Sequence, residues 1–179
     1  MADENWTIWF TGLHGSGKST IANGLIKILR NNRIPAVLLD GDDIRESISS
    51  DLGYSLEERN EHMKRVAGIC KLVSKNNILA IASVASPTEK SREYARKILK
   101  KVLLVYVKCP LEVCEKRDVK GHYKKAGKKS KGFEHFIKVS SKFEEPKNPD
   151  VVLNTHKESS KESVNKLLKV LKDKGIIKI

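Results

Sequence analysis

Five short apolar runs recur along the chain, at residues 8–10, 36–39, 78–84, 103–107 and 151–153. Each is a near-continuous stretch of Val, Ile, Leu, Ala, Trp or Phe rather than an apolar–polar alternation. That is the pattern of strands covered on both faces. Between them lie helical patterns at 20–30, 57–75, 89–100, 111–116 and 161–172, with apolar residues three or four apart. Strands alternating with helices predict an α/β fold built on a central parallel five-stranded sheet. Turns are expected at 31–35 and 76–77. The one long irregular stretch, 118–150, is rich in Lys, Gly and Pro, and a loop of that length in a compact domain is usually functional. At 179 residues with no internal repeat, the chain reads as a single domain, 1–179.

Charge changes that picture only locally. The formal net charge is +13 and most of the basic residues are lysine. They are spread along helix faces with few aromatics between them, which describes a solvated surface, so no nucleic-acid partner is expected. One cluster stands apart, at Lys120, Lys124, Lys125, Lys128, Lys129 and Lys131, where it could draw polyanionic nucleotides toward a site. The chain holds no apolar run of transmembrane length and no signal peptide, so a cytoplasmic protein without a membrane partner is expected. Three cysteines, Cys70, Cys109 and Cys114, lack metal-ligand spacing and suit a reducing compartment.

The chemistry is concentrated in two segments. Residues 12–20 read G-L-H-G-S-G-K-S-T, between an apolar strand and a helical pattern. This is the spacing and context of a phosphate-binding loop. Backbone N–H groups and the helix N-terminus would hold a nucleotide's phosphates. Lys18 would reach the β- and γ-phosphates and Ser19 would hold Mg²⁺. The second segment, L-L-D-G-D-D-I-R at 38–45, starts where the second strand ends. There Asp40, Asp42 and Asp43 would face the ligand crevice, to orient Mg²⁺ through water or to accept a proton from an attacking hydroxyl. Alone, D-G-D-D is a turn signal. Arg45 could pair with an anionic substrate group.

These segments, together with D-L-G-Y-S (51–55), R-N-E-H (59–62), A-S-P (85–87), P-L-E-V-C-E-K-R-D-V-K-G-H-Y-K-K-A (110–126) and K-G-F (131–133), resemble the adenylylsulfate kinase family. The resemblance is collinear over nearly the whole chain. It implies a three-layer P-loop kinase fold with a mobile lid at 118–150. It implies transfer of the ATP γ-phosphate to the ribose 3′-hydroxyl of adenosine 5′-phosphosulfate, giving 3′-phosphoadenylyl sulfate, the activated sulfate donor. It also implies a homodimer acting on a small nucleotide. Carried over by position, Gly15, Ser16, Gly17, Lys18, Ser19 and Thr20 bind ATP, with Arg117 and Thr155 at its adenine and Ser19 on Mg²⁺. Asp42, with Lys18, is the catalytic candidate. Asp43, Arg45 and Arg59 would contact the acceptor. Tyr54 and Phe133 would pack on its base, His62, Ala85 and Ser86 would line its pocket, and Lys124 and Gly132 would come from the lid.

The departures from that family cluster on the acceptor side. Asp43 stands where the family has Asn, Tyr54 where it has Phe, His62 where it has Asn and Ala85 where it has Ile, and the stretch 134–146 runs differently. Losing a few methylenes or exchanging an amide for a ring is worth ~1–3 kcal/mol in substrate discrimination. A related acceptor is therefore the main alternative, such as the cytidine diphosphoramidate of capsule modification. Another small-molecule kinase, for gluconate or shikimate, is disfavoured by the same motifs. A non-catalytic nucleotide-binding module is disfavoured by the intact Lys18, Ser19 and Asp42.

Overall fold

The computed structural model describes residues 5–118 and 143–179. In chain order the elements are β1 (Thr7–Thr11), α1 (Lys18–Asn31), β2 (Ala36–Asp40), α2 (Gly41–Ser47), α3 (Leu56–Lys75), β3 (Leu79–Ser83), α4 (Glu89–Ile98), β4 (Val102–Lys108), α5 (Leu111–Arg117), β5 (Val151–Asn154) and α6 (Ser160–Asp173). The five strands form one parallel sheet in the order β2-β3-β1-β4-β5. Lys124, Gly132, Phe133 and most of the expected lid lie outside the described residues.

The continuous apolar runs are explained by two cores, one on each face of the sheet. Side chains alternate across a strand. Ile8 and Phe10 of β1, Leu79 and Ile81 of β3, and Leu103, Val105 and Val107 of β4 pack under α1 and α6. Trp9, Ala80, Ala82 and Leu104 point the other way, against α3 and α4. The result is three layers, helices–sheet–helices. Small Ala80 and Ala82 leave room for α3, whose Met63, Val66, Ala67 and Cys70 fill that side.

Side-chain caps set the starts of α2, α3, α4 and α6. Ser55 and Glu58 form a capping box at α3, Ser159 and Glu162 form another at α6, and Thr88 accepts from the Ser91 amide at α4. The element the periodicity does not predict is α2. Asp40 ends β2 and caps α2 at once, its Oδ1 accepting the Asp42 amide at 3.0 Å. The D-G-D-D run is therefore a strand-to-helix junction and not a turn. The chain leaves β1 toward β2 on one side of the sheet and crosses from β3 to β4 on the other. Connections diverge at the carboxyl end of β1, where an open α/β sheet has its ligand crevice. No helix among the described residues is long and apolar enough to cross a membrane.

Candidate active site

A cavity of about 470 Å³ runs along that crevice. One end is built by the phosphate loop. Gly15 has φ +74°, and a Cβ there would lie 2.8 Å from the Cys114 carbonyl oxygen, so only glycine lets the loop pack against α5. Lys18 is buried, and its Nζ donates to the carbonyls of Gly12 (2.9 Å) and Leu13 (2.7 Å), which bends the ammonium over the loop. Ser19 Oγ donates to Asp40 Oδ2 at 2.9 Å, and the Ser83 hydroxyl lies 3.2 Å from it. Register sets this arrangement, because Asp40 and Ser83 are paired positions on neighbouring strands. Three oxygens thus converge beside the loop, the hard donor set that Mg²⁺ takes.

Next to the loop, Thr155, the residue after β5, ties the β5–α6 connection to it. Its hydroxyl donates to the Ser16 carbonyl at 2.7 Å, and Arg117 Nη2 donates to the Thr155 carbonyl at 2.7 Å. Arg117 and Thr155 line the cavity with Glu158, Ser159 and Ser160.

The opposite end is cationic. Arg45 on α2 and Arg59 on α3 flank the Tyr54 ring, their guanidinium carbons 4.9 and 5.2 Å from its centroid. Arg45 Nη1 is fixed by the Gly53 carbonyl at 2.8 Å and Arg59 Nε by the Tyr54 carbonyl at 3.0 Å. The connecting turn is itself held by Glu58, which accepts from the amides of Gly53 and Ser55. Arg59 is 6% exposed, and its Nη2 is buried without a hydrogen-bond partner. Burial, and then repulsion from Arg45, lower its pKa to about 10. It stays cationic at neutral pH. A buried, unsatisfied donor on a residue that lines a cavity calls for an acceptor the protein itself does not supply. Asp42 lines the cavity between the two ends, and its carboxylate acts electrostatically on Arg45, Arg59 and His62.

His62 is 3% exposed and uses both ring nitrogens inward. The Gly41 carbonyl, 3.1 Å from Nε2, can only accept, so Nε2 carries the proton, and Nδ1 accepts from the Ser49 hydroxyl at 3.0 Å. The ring therefore fixes the start of α2 and offers the cavity no polar atom. Burial first, and Arg45 second, depress its pKa to about 4 from an ordinary 6.5. The unfolded chain takes up a proton near 6.5, whereas the folded chain resists until about 4, so stability falls as pH drops through that window. Denaturant titrations from pH 7 to pH 4 are expected to show this loss, and His62→Asn, which cannot titrate, is expected to flatten it.

The cavity gathers Gly15, Gly17, Lys18, Ser19, Thr20, Asp42, Arg45, Tyr54, Arg59, His62, Ala85, Arg117 and Thr155. Three expected residues are placed elsewhere. Asp43 is exposed on the outer side of α2, because its neighbour Asp42 takes the inward position and helical geometry turns the next residue away. Ser86 is fully buried with its Oγ 3.0 Å from Ser91 Oγ, behind the wall that Ala85 and Pro87 present. Ser16 is fully buried under the loop and contributes its carbonyl to Thr155. Ser83, Val84, Met63 and Pro87 also line the cavity and were not expected. Ser83 follows from strand register, which a sequence without strand pairing does not reveal. The apolar three carry no chemical signature.

The fold and its phosphate-loop cleft are those of a P-loop kinase, a class of phosphotransferases. A family model described as adenylylsulphate kinase matches residues 4–154. The chain is similar to an adenylyl-sulfate kinase of Halothermothrix orenii, 41% identical over 173 residues, which cover 97% of this chain and 92% of that protein. An adenylyl-sulfate kinase of Clostridium kluyveri is 46% identical over 165 residues, 92% of this chain and 82% of that protein. The Mycobacterium tuberculosis APS kinase CysC, solved in complex with AMPPNP and APS, superposes with a TM-score of 0.87 at 34% identity, covering 94% of this chain and 98% of that one. The chain belongs to the adenylylsulfate kinase family.

Proposed function

We propose that this protein transfers the γ-phosphate of ATP to the ribose 3′-hydroxyl of adenosine 5′-phosphosulfate. The observation that carries the reading is the pair Arg45 and Arg59 around Tyr54, with the unpartnered Nη2 of Arg59 buried at the far end of the phosphate-loop cavity. Such a pocket suits an acceptor bearing a compact anion, as a phosphosulfate does. A neutral sugar would bring no negative charge to the two guanidiniums beyond that of the nearby Asp42 and, for Arg45, Glu58 carboxylates. The M. tuberculosis relative holds AMPPNP and APS in its structure. Lys124, Gly132 and Phe133, outside the described residues, belong to the same proposal as acceptor contacts of a lid at 118–150.

In this reading Lys18 neutralises charge on the triphosphate, and Asp42 orients or deprotonates the 3′-hydroxyl. Ser19 would hold Mg²⁺, with Asp40 supporting it, and the ion would neutralise the charge of the transferring phosphoryl group. Met63, Val84 and Pro87 keep the acceptor end dry and raise the worth of every charge there. The proposal takes the protein as a cytoplasmic homodimer, in keeping with its three free cysteines.

His62 and Ala85, both in the cavity wall and both different from the family pattern, favour a second reading in which the acceptor is a related nucleotide such as cytidine diphosphoramidate. Coupled ADP release with a panel of acceptors tests the two. Turnover of adenylyl sulfate with at least about a hundredfold advantage in kcat/KM is expected. Turnover of the cytidine nucleotide alone would replace the first reading with the second.

A further inference from the structure

The wall opposite Arg59 is the turn at residues 85–87, and its shape is unusual. Ser86 adopts φ +41°, a left-handed conformation, directly before a proline, where a non-glycine residue is disfavoured twice over. Such a residue persists only when its surroundings over-determine it. Its carbonyl is gripped from two sides, by Thr11 Oγ1 at 3.1 Å and by Arg92 Nη1 at 2.7 Å.

Arg92 is a buried cation that the proposed chemistry does not use. Its side chain has no solvent exposure, although it carries a full charge. Nε and Nη2 reach the Glu89 carboxylate at 3.1 and 2.7 Å, and Nη2 also donates to the Glu144 carbonyl at 2.8 Å. The guanidinium lies 5.8 Å from the centre of the Phe143 ring. Two further bonds close the same contact: the Glu144 amide donates to the Pro87 carbonyl at 2.9 Å, and the Glu89 amide donates to the Glu144 carboxylate at 2.7 Å. Phe143 in turn borders a small cavity with Arg59, Ala85, Pro87 and the phosphate-loop residues Gly12 and His14.

We infer that Arg92 is a positioning residue for the acceptor: it clamps the chain at 143–144 onto the 85–87 turn, holds Ser86 in its left-handed state and so fixes Ala85 and Pro87 in the wall of the cleft. It touches no substrate. A simple core cation would need only Glu89, yet Arg92 divides its donors between the 85–87 turn and Glu144, which lies 52 residues beyond Arg92 in the chain, and both segments border the small cavity at Arg59. The inference deepens the acceptor reading above and rests on it.

The test uses the full chain with Arg92→Met, Arg92→Lys and Phe143→Leu, the last a milder change in case the buried substitutions fold poorly. KM for adenylyl sulfate is expected to rise about tenfold to a hundredfold in Arg92→Met, as a displaced substrate-positioning wall requires. KM for ATP is expected to stay within about threefold, since the triphosphate end keeps Lys18 and Ser19. Arg92→Lys, which can still reach the Ser86 carbonyl, recovers part of the loss, and Phe143→Leu shifts the same KM in the same direction by less. Unchanged acceptor KM with a lowered melting temperature would overturn the proposal, as would equal rises for both substrates. Amide exchange separates this from the acceptor assignment. If wild type does not turn over adenylyl sulfate, that assignment fails alone. Faster exchange at the Glu89 and Glu144 amides of the unliganded Arg92→Met protein then still supports the clamp, and unchanged exchange refutes it.

Discussion

Replacing Asp42 with alanine is expected to lower kcat by roughly 10²–10⁴, the range for a general acid–base group, with ATP affinity within about a factor of two of wild type. The size follows from its placement. Asp40 caps α2 through the Asp42 amide and accepts the Ser19 hydroxyl with its other oxygen, so one side chain sets Asp42 relative to the loop. Two arginines lie on the other side, close enough for their pKa values to register the Asp42 carboxylate. An attacking hydroxyl brought in by those arginines would meet the carboxylate before it met the triphosphate. Asp43→Ala is the internal control. Asp43 is exposed and outside the cavity, and its loss is expected to cost little, within ±0.5 kcal/mol in stability and with no comparable loss of kcat. Steady-state kinetics with separate ATP-binding measurements decide the matter. An Asp42→Ala enzyme within about a factor of two of wild type would remove Asp42 from the mechanism.

Arg59→Gln is the second large effect, and it falls on the acceptor alone. Truncating one partner of a buried charged contact typically costs about 2–5 kcal/mol in binding, so acceptor KM is expected to rise at least about thirtyfold. Stability is expected to move little. The wild-type protein bears a desolvated cation with an unpartnered Nη2 and a like charge nearby, and these penalties oppose the bond from Nε to the Tyr54 carbonyl. An arginine kept at such a cost, and found to be needed for binding but not for folding, would mark a ligand site. Parallel rises in the KM of ATP and acceptor would contradict this, because they would indicate collapse of the cleft as a whole.

Much of the architecture was legible because the sheet is buried on both faces. Its strands read as uninterrupted apolar runs at 8–10, 36–39 and 103–107, and each observed strand overlaps one such run. The helix α2 escaped the pattern because it is only about two turns of mostly charged residues capped by a strand residue, too short for periodicity to count. The triphosphate end was legible from a local motif, whose residues fold together regardless of the rest. Of the residues proposed for the acceptor end, Arg45 was legible from its place after the second strand, whereas Tyr54, Arg59, His62 and Ala85 were named through resemblance, since they come from three further segments. Even then, resemblance gives position and not orientation. Ser86 turns its hydroxyl toward Ser91, and His62 spends both nitrogens on Gly41 and Ser49. The left-handed Ser86 and the buried Arg92 leave no sequence signal, because both arise from contacts between segments distant along the chain.

The central claim is that the far end of the phosphate-loop cleft binds a nucleotide whose ribose 3′-hydroxyl receives the γ-phosphate. The most direct measurement is phosphorus NMR of the product formed from ATP, Mg²⁺ and adenylyl sulfate. A new phosphomonoester resonance coupled to the ribose H3′ proton is expected, with one equivalent of ADP and the phosphosulfate intact. Release of ADP with phosphate appearing at another position, or as free phosphate, would contradict it.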